Sequence, residues 1–504
     1  MSMSEREHVS RTSGEDASRG EFLRHGDEIL ERARATRVVV IGGGMAGLVA
    51  AHECAKVAMK VTVLESAEQP GGAVRSGEVA GIALDLGAES FATRGGHVKK
   101  LVTELGLEGA IVAPGRAGAW VAGVPGVGAA PLPAGGVLGI PANPFADEVR
   151  AIIGWSGAWR AYLDRLRPVL TIGHAHSLGR LVRQRMGARV LDRLVAPVVS
   201  GVYSAHPDDI DPDIAAPGLG AAITRTGSLS GAVASLAEKR REAVGKGAPG
   251  QAALGLRGGM ARLPEALAGA IRDLDGEVVT GARVERLERN GDGWRVVAAQ
   301  EHHADVVIVA TDEDTARRLL ADHVPGLSAD APSECPVVEI ITLVLETGSL
   351  DEPPRGNGVL TVPGTFTAKA LTHASAKWEW VAEAAGPGRH VVRVSFGTQN
   401  ETPATAELSD DDAVLLALRE ASALLGVDLP ASALVEGRRE RFVQSQPTAA
   451  AGLKQQTDAA RAAIRRTSAL GVVGAWLSGT GLAQVVPDAI DEADRVRRQT
   501  LFRP

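Results

Sequence analysis

Three glycines near the start of the chain have the spacing of a phosphate-binding turn. Gly42, Gly44 and Gly47 form a Gly-x-Gly-x-x-Gly motif. A β-branched run from Arg37 precedes the motif, and an alanine-rich helical stretch follows it. In such a turn the first glycine permits a tight bend, the second lets backbone approach a pyrophosphate, and the third lets the helix pack on the strand. The helix N-terminus then faces the phosphates, so the motif predicts a dinucleotide site.

An acidic residue follows the motif at the distance that such a site requires. The segment Lys60 to Ser66 reads as a second strand, and Glu65 near its end comes 18 residues after Gly47. A carboxylate there can bind both ribose hydroxyls and repels a 2′-phosphate, so NADP is disfavoured. A second glycine pair, Gly71 and Gly72, follows. The first motif and the acid together do not separate NAD from FAD.

Other side chains give little reason to expect catalysis by the protein itself. The sequence has no Gly-x-Ser-x-Gly elbow, and its two cysteines, Cys54 and Cys335, cannot form a Cys-rich metal site. His302 and His303 are adjacent in a strand and so point to opposite faces. We therefore expect no metal site.

Composition and length limit the class of protein that can hold such a dinucleotide site. The composition, 45% hydrophobic and 23% charged, excludes a disordered, collagen-like or coiled-coil protein. The length of 504 residues predicts two or three domains. The net charge of -7 gives no attraction to nucleic acid, so we expect no nucleic-acid partner. No secretory signal precedes the first strand, which favours a cytoplasmic protein. The oligomeric state stays open.

The longest uncharged run, Ala117 to Ala146, has enough residues to cross a bilayer. It contains five prolines, which would leave backbone groups unsatisfied in lipid. We interpret it as buried loops and turns and expect no transmembrane segment. Peripheral contact of this surface with a membrane is left open.

Longer matches give the chain a family resemblance. Five segments carry it: GIALDLGAESFATRGGHVKKLVTELGLE, PLPAGGVLGIP, LVRQRMGARVLDRLVAPVVSGVYSAHPDDI, GGMARLPEAL and KALTHASAKW. The sequence resembles the oxygen-dependent, FAD-containing protoporphyrinogen and coproporphyrinogen oxidases of the flavin monoamine oxidase superfamily, from Arg37 to about Asp494. In that superfamily the second glycine pair crosses the pyrophosphate, so the resemblance favours FAD over NAD.

The resemblance implies an α/β fold. It comprises a discontinuous Rossmann-like FAD-binding domain, an antiparallel-sheet substrate domain and a helical subdomain. Residues 1–36 are expected to form a disordered tail with a short helix near Asp27 to Ala35. The FAD-binding domain is expected in three parts, over 37–110, 251–325 and 436–504. Between them we expect a helical and substrate subdomain over 111–250 and a substrate-binding sheet over 326–435.

Cofactor-binding residues are carried over by the same resemblance. They are Gly42, Gly43, Gly44, Met45, Ala46 and Gly47 at the pyrophosphate, Glu65 and Ser66 at the ribose, Gly72, Val74 and Arg75 beside it, Gly87, Ala88, Glu89 and Ser90 along the flavin, Val284 at the adenine, and Gly474, Val485, Val486 and Pro487 at the flavin ring.

The end of the chain departs from the family pattern. It reads SQPTAAAG, with Thr448 where an aromatic is expected, and GTGLAQVVPDA, with Ala489 in place of a cysteine. Pro487 suits the first turn of a helix that begins there with Asp488, Asp491 and Glu492. Such an N-terminus, directed at the ring, would favour negative charge on the reduced flavin.

The implied reaction is the six-electron oxidation of a porphyrinogen with dioxygen as acceptor, performed by the flavin with no catalytic side chain. The substrate is an apolar disc with propionates at its rim. The candidate ligands for these are Arg94 and, more weakly, Lys369, His373 and Lys377. We favour coproporphyrinogen over protoporphyrinogen. An amine oxidase or carotenoid-type desaturase, and a porphyrin-binding flavoprotein without turnover, are the alternatives.

Overall fold

The computed structural model describes residues 26–167, 177–244, 253–330, 335–399, 401–443 and 453–502. Residues 1–25 of the predicted tail and Thr448 lie outside them. The strands are β1 (Arg37–Ile41), β2 (Lys60–Leu64), β3 (Ser76–Val79), β4 (Ile82–Asp85), β5 (Phe91–Ala92), β6 (Ile111–Val112), β7 (Trp120–Val124), β8 (Gly128–Pro131), β9 (Ala253–Leu256), β10 (Glu277–Val279), β11 (Arg286–Asn290), β12 (Gly293–Val297), β13 (Glu301–Ala304), β14 (Val306–Val309), β15 (Val337–Glu346), β16 (Gly358–Thr361), β17 (Ala370–His373), β18 (Arg389–Phe396), β19 (Leu434–Val443) and β20 (Leu470–Val472).

The helices are α1 (26–35), α2 (Met45–Ala55), α3 (His97–Glu104), α4 (Asp147–Tyr162), α5 (Leu178–Met186), α6 (Ala188–Val190), α7 (Ala196–Tyr203), α8 (Pro212–Ala215), α9 (Leu219–Thr226), α10 (Leu229–Val244), α11 (Arg262–Asp273), α12 (Glu313–Leu320), α13 (Ala374–Lys377), α14 (Glu379–Ala385), α15 (Asp410–Leu425), α16 (Leu453–Arg465), α17 (Ala475–Ser478) and α18 (Leu482–Leu501).

A five-stranded parallel sheet, in the order β10-β2-β1-β14-β20, forms the centre of the first domain. Its strands are drawn from stretches far apart in the sequence, which confirms a discontinuous Rossmann-like domain. Helices α2, α11 and α18 cover one face, where every residue of α2 is buried. The small antiparallel sheet β11-β12-β13, with α12 and α16, covers the other face.

A seven-stranded sheet, in the order β19-β15-β18-β17-β16-β7-β8, forms the second domain. All of its pairs are antiparallel except β16 with β7. Helix α15 packs on one face, and the β3–β4 hairpin with α14 packs on the other. The predicted loops of 117–146 are corrected here, because β7 and β8 pair within this run. The boundary at 435/436 falls inside β19, so the whole strand belongs to this sheet.

Helices α4 to α10 form a third core beside β7 and β8. Leu178, Val182 and Leu194 are buried there with Val121 and Val124 of the sheet edge. Within the described part of the chain, no helix is both long and apolar enough to cross a bilayer.

The predicted tail is too long at its C-terminal end. Residues 26–35 form α1, as the sequence suggested, but the helix packs on the protein. Ala33 is buried in the core shared with α2 and α18, and the Arg32 guanidinium donates to the carbonyl of Leu501 at 2.8 Å.

The terminal helix begins at Leu482, which corrects the predicted start at Pro487. Val485 and Val486 are buried, so core packing favours extending the helix on the N-terminal side of the proline. Two of the three acids assigned to its first turn, Asp488 and Glu492, form ion pairs instead. Asp488 pairs with Arg461 at 2.7 Å, and Glu492 pairs with Arg465 and Arg495.

Candidate functional site

The first glycine turn has the geometry that its sequence predicts. Gly42 has φ +106°, and a Cβ there would lie 2.6 Å from the carbonyl oxygen of Ala310. A Cβ on Gly47 would overlap the carbonyl oxygen of Gly42, because helix and strand approach closely at this point. A Cβ on Gly44 would meet nothing within 4 Å. Gly44 therefore borders space that a ligand could fill.

The N-terminus of α2 opens on the same space. Met45 and Ala46 are buried, and no side chain caps the helix at Gly44. The first N–H groups of a helix have no partner within it, so a buried, uncapped N-terminus needs an acceptor from elsewhere. A pyrophosphate supplies such acceptors and also suits the helix dipole. This end of the domain therefore fits the dinucleotide that the motif predicts.

Glu65 lies against the glycine turn. One carboxylate oxygen accepts a hydrogen bond from the Gly43 N–H at 2.6 Å, and the other accepts from the Ala67 N–H at 2.8 Å and from the Ser66 hydroxyl at 3.2 Å. Each carboxylate oxygen can accept more than one bond, so capacity for ribose hydroxyls remains. Glu65 also holds the turn together, a role that the sequence motif did not reveal.

The second glycine pair lies directly beside the first turn. The Gly71 N–H donates to the Gly43 carbonyl at 2.8 Å, and Gly71 forms an isolated β-bridge with Gly44. A Cβ on Gly72 would lie 3.4 Å from the Gly44 Cα. The two motifs, separated by a strand and a helix in sequence, thus form one backbone cradle.

The chain then returns past the cradle. Val74 is buried, and the Ala88 N–H donates to the Ala73 carbonyl at 2.9 Å. A Cβ on Gly87 would overlap that same carbonyl, so only glycine allows this approach. Arg75 forms an ion pair with Glu440 at 2.6 Å and stacks over Phe442 of β19, which ties this segment to the second domain.

A buried charge cluster fixes the segment 86–89. The Glu89 carboxylate accepts from Lys377 and from Arg393, the latter at 3.1 Å. The Arg393 guanidinium also donates to the carbonyls of Leu86 and Gly87 at 2.8 and 2.7 Å. Burial alone would raise the pKa of Glu89, but the charges and hydrogen bonds of Lys377 and Arg393 outweigh it and lower the pKa to about 2. The cluster thus pairs one carboxylate with two cations, and the buried Asp85 carboxyl also interacts with Arg393 and Glu89.

A row of neutral side chains crosses the sheet beside Arg393. Ile340 and Ala370 both pair with Ser395, and Leu360 pairs with Ala370. Directly paired residues share a face, and Ser395 is on the same face of β18 as Arg393. All four are only partly buried although none of their strands is at an edge of the sheet. This neutral row therefore lies on the face of the sheet that meets the segment 86–89 at Arg393 and approaches Gly201 of α7 at Leu360.

The four predicted substrate ligands have different surroundings. Arg94 is exposed in the loop before α3, and no hydrogen bond or ion pair to it occurs among the described residues. Lys377 is engaged with Glu89, which favours a supporting role. Lys369 is buried and donates to the Ser204 hydroxyl at 2.6 Å. Burial lowers the pKa of Lys369 to about 7.

His373 is unsuited to binding a propionate. It pairs with Val392, on the α15 face of the sheet, opposite the neutral row. Burial, with the nearby His390, lowers the pKa of His373 to about 4, so its ring is neutral near pH 7. The strand alternation in ALTH could have revealed this, because residues two apart share a face.

The remaining predicted residues lie around the carboxyl edge of the parallel sheet. Val284 is buried beside Ile41 and Leu64. Gly474 follows β20 with φ +144°, and a Cβ on it would lie 3.4 Å from the Thr311 carbonyl. Val485 and Val486 share a core cluster with Met45 of α2. Pro487 follows them inside α18, and Ser90 leads into β5.

Two features were missed in the sequence. Arg393 stands in RHVVRVSF, where a cation inside an apolar strand could have indicated a buried partner. The neutral row carries no local signal, because its members come from strands far apart in sequence and become neighbours only through pairing.

One group of metal-type donors occurs within the described residues, at His52, Glu53 and Glu104. The Lys56 ammonium pairs with both carboxylates, with Glu104 at 2.9 Å. Arg497 also pairs with Glu53, at 3.3 Å, so two cationic side chains balance the two carboxylates.

Comparison with known proteins agrees with this geometry. A model of the family described as flavin containing amine oxidoreductase matches residues 45–497. Coproporphyrinogen III oxidase of Propionibacterium freudenreichii subsp. freudenreichii is 28% identical over 487 residues, covering 91% of this chain and 90% of that protein. The enzyme of the same name from Bacillus subtilis (strain 168) is 26% identical over 473 residues, covering 90% and 96%. A protoporphyrinogen oxidase-like protein from Exiguobacterium sp. 255-15 shares the fold, with a TM-score of 0.77, 21% identity and coverage of 92% of this chain and 98% of that chain.

The family match begins within the first glycine motif, at Met45, and covers the second glycine pair, the seven-stranded sheet and most of the terminal helix. The cradle, the uncapped N-terminus of α2 and Glu65 give it a physical basis as a flavin dinucleotide site. This chain therefore belongs to the flavin-containing amine oxidoreductase family and is an FAD-dependent oxidoreductase.

Proposed function

We propose that this enzyme oxidises coproporphyrinogen III to coproporphyrin III. The observation that carries the proposal is the extent of similarity to proteins of that name, which covers about nine-tenths of both chains. A match confined to the dinucleotide motifs would indicate only FAD. This one includes the sheet and helices that would hold a substrate.

The neutral row suits the body of this substrate. A porphyrinogen is a broad, largely apolar disc, and Ile340, Ala370 and Leu360 offer an apolar wall with one hydroxyl, from Ser395. The wall shares a face of the sheet with Arg393, which contacts the segment 86–89 that we assign to the flavin. A disc between them would have one face on the wall and the other towards the cofactor.

The charged rim of the substrate needs cations that are not already paired. Arg94 meets this requirement among the predicted ligands, because Lys377 is bonded to Glu89 and Lys369 to Ser204. An arginine offers two parallel donors to a carboxylate. We therefore assign Arg94 to a propionate.

FAD held by the two glycine motifs and Glu65 would supply a hydride acceptor that dioxygen can reoxidise. Loss of three hydrides and three protons from the macrocycle would then reduce three dioxygen molecules to three molecules of hydrogen peroxide. The contribution of the chain is positional. Arg393 and Glu89 keep the segment 86–89 at a fixed distance from the sheet. The apolar wall would exclude water from the face of the disc that it contacts.

An anaerobic assay tests this proposal. The purified holoenzyme should lose its yellow colour when mixed with coproporphyrinogen III and regain it with air, with three peroxides formed per coproporphyrin. Preference for protoporphyrinogen IX in parallel assays would assign the chain to that substrate instead. Bleaching by amines alone would indicate an amine oxidase, and porphyrin binding without bleaching would indicate a carrier.

A further inference from the structure

A β-bulge turns the Lys369 side chain onto the face of the sheet that carries the neutral row. Ala368 and Leu371 are both buried in the core under α15, on the opposite face. Ala370 pairs with Ser395, and the Lys369 N–H also donates to the Ser395 carbonyl at 2.9 Å, so two residues oppose one. A bulge interrupts the alternation of a strand and redirects a side chain. Lys369 and Ala370 therefore lie together on the neutral face.

The Lys369 side chain ends at helix α7, which packs on the neutral row. A Cβ on Gly201 would lie 2.5 Å from a methyl carbon of Leu360, so the helix and the row are in close contact there. Ser204 comes three residues later, at the end of α7, with φ +53°. Its hydroxyl accepts a hydrogen bond from the buried Lys369 ammonium at 2.6 Å. The pair therefore lies at the margin of the wall that we assign to the substrate.

No carboxylate among the described residues is paired with the Lys369 amine. Helix α7 and strand β16 contain no charged residue, and Arg393, the cation of β18 on the same face, is paired with Glu89. Burial lowers the pKa of Lys369 to about 7, so the amine is largely neutral above that pH. A neutral amine accepts from the Ser204 hydroxyl, whose oxygen can then accept from a second donor. The pair can therefore take up a proton.

We propose that Lys369, acting through the Ser204 hydroxyl, accepts the proton that the substrate releases when it loses a hydride. The inference rests on the proposed function and adds a chemical role to the positional one. Hydride loss from carbon leaves the macrocycle cationic, and breaking a pyrrole N–H bond, with its electrons kept by nitrogen, restores a neutral ring. The Ser204 oxygen takes that proton while its own proton passes to the Lys369 amine. The ammonium then releases a proton to solvent, so the lysine ends each round unchanged.

The pH dependence of anaerobic bleaching tests the proposal. With saturating coproporphyrinogen III, the single-turnover rate of the wild-type holoenzyme should rise about tenfold per pH unit below about pH 7 and level off above it. Lys369→Met should lower the plateau rate about a hundredfold or more and abolish the rise. In Lys369→Ala, added ethylamine should restore the rate in proportion to its free-base concentration. Ser204→Ala should lower the rate because the relay is broken.

A matched control is Lys60→Met, because Lys60 is exposed at the amino-terminal end of β2, opposite the carboxyl edge that holds the glycine motifs. This variant should bleach as the wild type does. Lys369→Met should keep the flavin spectrum, and porphyrin fluorescence should show that it binds coproporphyrin III as the wild type does.

Two results would overturn the inference alone while the wild type bleaches with coproporphyrinogen III. One is a wild-type rate and pH profile in Lys369→Met or Ser204→Ala. The other is a loss in Lys369→Met that is confined to KM, which would make Lys369 a propionate ligand. A wild type that bleaches with no porphyrinogen would overturn the proposed function together with the inference.

Discussion

Replacing Arg393 with methionine should loosen the segment that we assign to the flavin. The guanidinium is 7% exposed and makes an ion pair with Glu89 and hydrogen bonds to two carbonyls. Removing one partner of a buried pair typically costs 3–5 kcal/mol. Glu89 keeps Lys377, so we expect about 3 kcal/mol, with Tm lowered by several degrees and FAD retention reduced.

A matched control lies on the same face of the same strand. Arg389 pairs with Glu346 at 3.4 Å, and these side chains are 40% and 65% exposed. Arg389→Met should therefore change stability by less than about 1 kcal/mol. Arg393→Lys keeps the charge but loses the two-donor fork, so it should recover only part of the loss. Thermal unfolding and flavin absorbance measure these effects. Equal Tm and full flavin occupancy in Arg393→Met and Arg389→Met would refute the reasoning.

The pH dependence of stability provides a second check on the ion pair between Arg393 and Glu89. Because the pKa of Glu89 is lowered in the folded state, its ion pairs stabilise the protein fully above pH 4.5, the ordinary pKa of a glutamate. This stabilisation is lost as the pH falls towards 2, where Glu89 becomes protonated. In Arg393→Met the pKa rises, so acid destabilisation should begin at a higher pH than in the wild type. Superimposable acid-unfolding curves would contradict the assigned ion pair.

Four other predictions follow from the geometry. Glu65→Ala should weaken FAD retention by about 1–3 kcal/mol, because the ribose loses an acceptor and the Gly43 N–H loses its partner; unchanged flavin release would argue against it. Arg94→Ala should raise KM and lower kcat/KM about ten- to a hundredfold while the flavin spectrum stays normal. If the wild type and this variant have equal kinetics on both tetra- and dicarboxylate porphyrinogens, Arg94 is not in the site. Deleting residues 1–36 should lower Tm because α1 is lost, whereas deleting 1–25 should leave it unchanged; identical Tm values for both deletions would show that α1 contributes nothing. Because the pKa of buried Lys369 is lowered to about 7, wild-type stability should rise between pH 7 and 10, by up to about 1.4 kcal/mol per unit, and Lys369→Met should lack that slope in denaturant titrations.

The dinucleotide site could be predicted because its determinants are local. Gly42, Gly44 and Gly47 act through backbone dihedral angles and close approach, and Glu65 directly follows the neighbouring strand. Such properties are set within one βαβ unit of about 30 residues. The start of α18 could not be predicted in this way. Pro487 is a strong local signal, but burial of Val485 and Val486 favours the longer helix.

By itself, the sequence determined the cofactor class, the discontinuous α/β domain and the absence of a strong catalytic side-chain motif. Tertiary structure decided which side chains share a face and which charges are already paired. His373 lies on the far face of its strand, and Lys377 is bonded to Glu89, although their sequence positions indicated substrate contact. The physical reason is that burial and ion pairing depend on residues brought from distant strands. Arg393 reaches the segment 86–89 only because β18 packs against it.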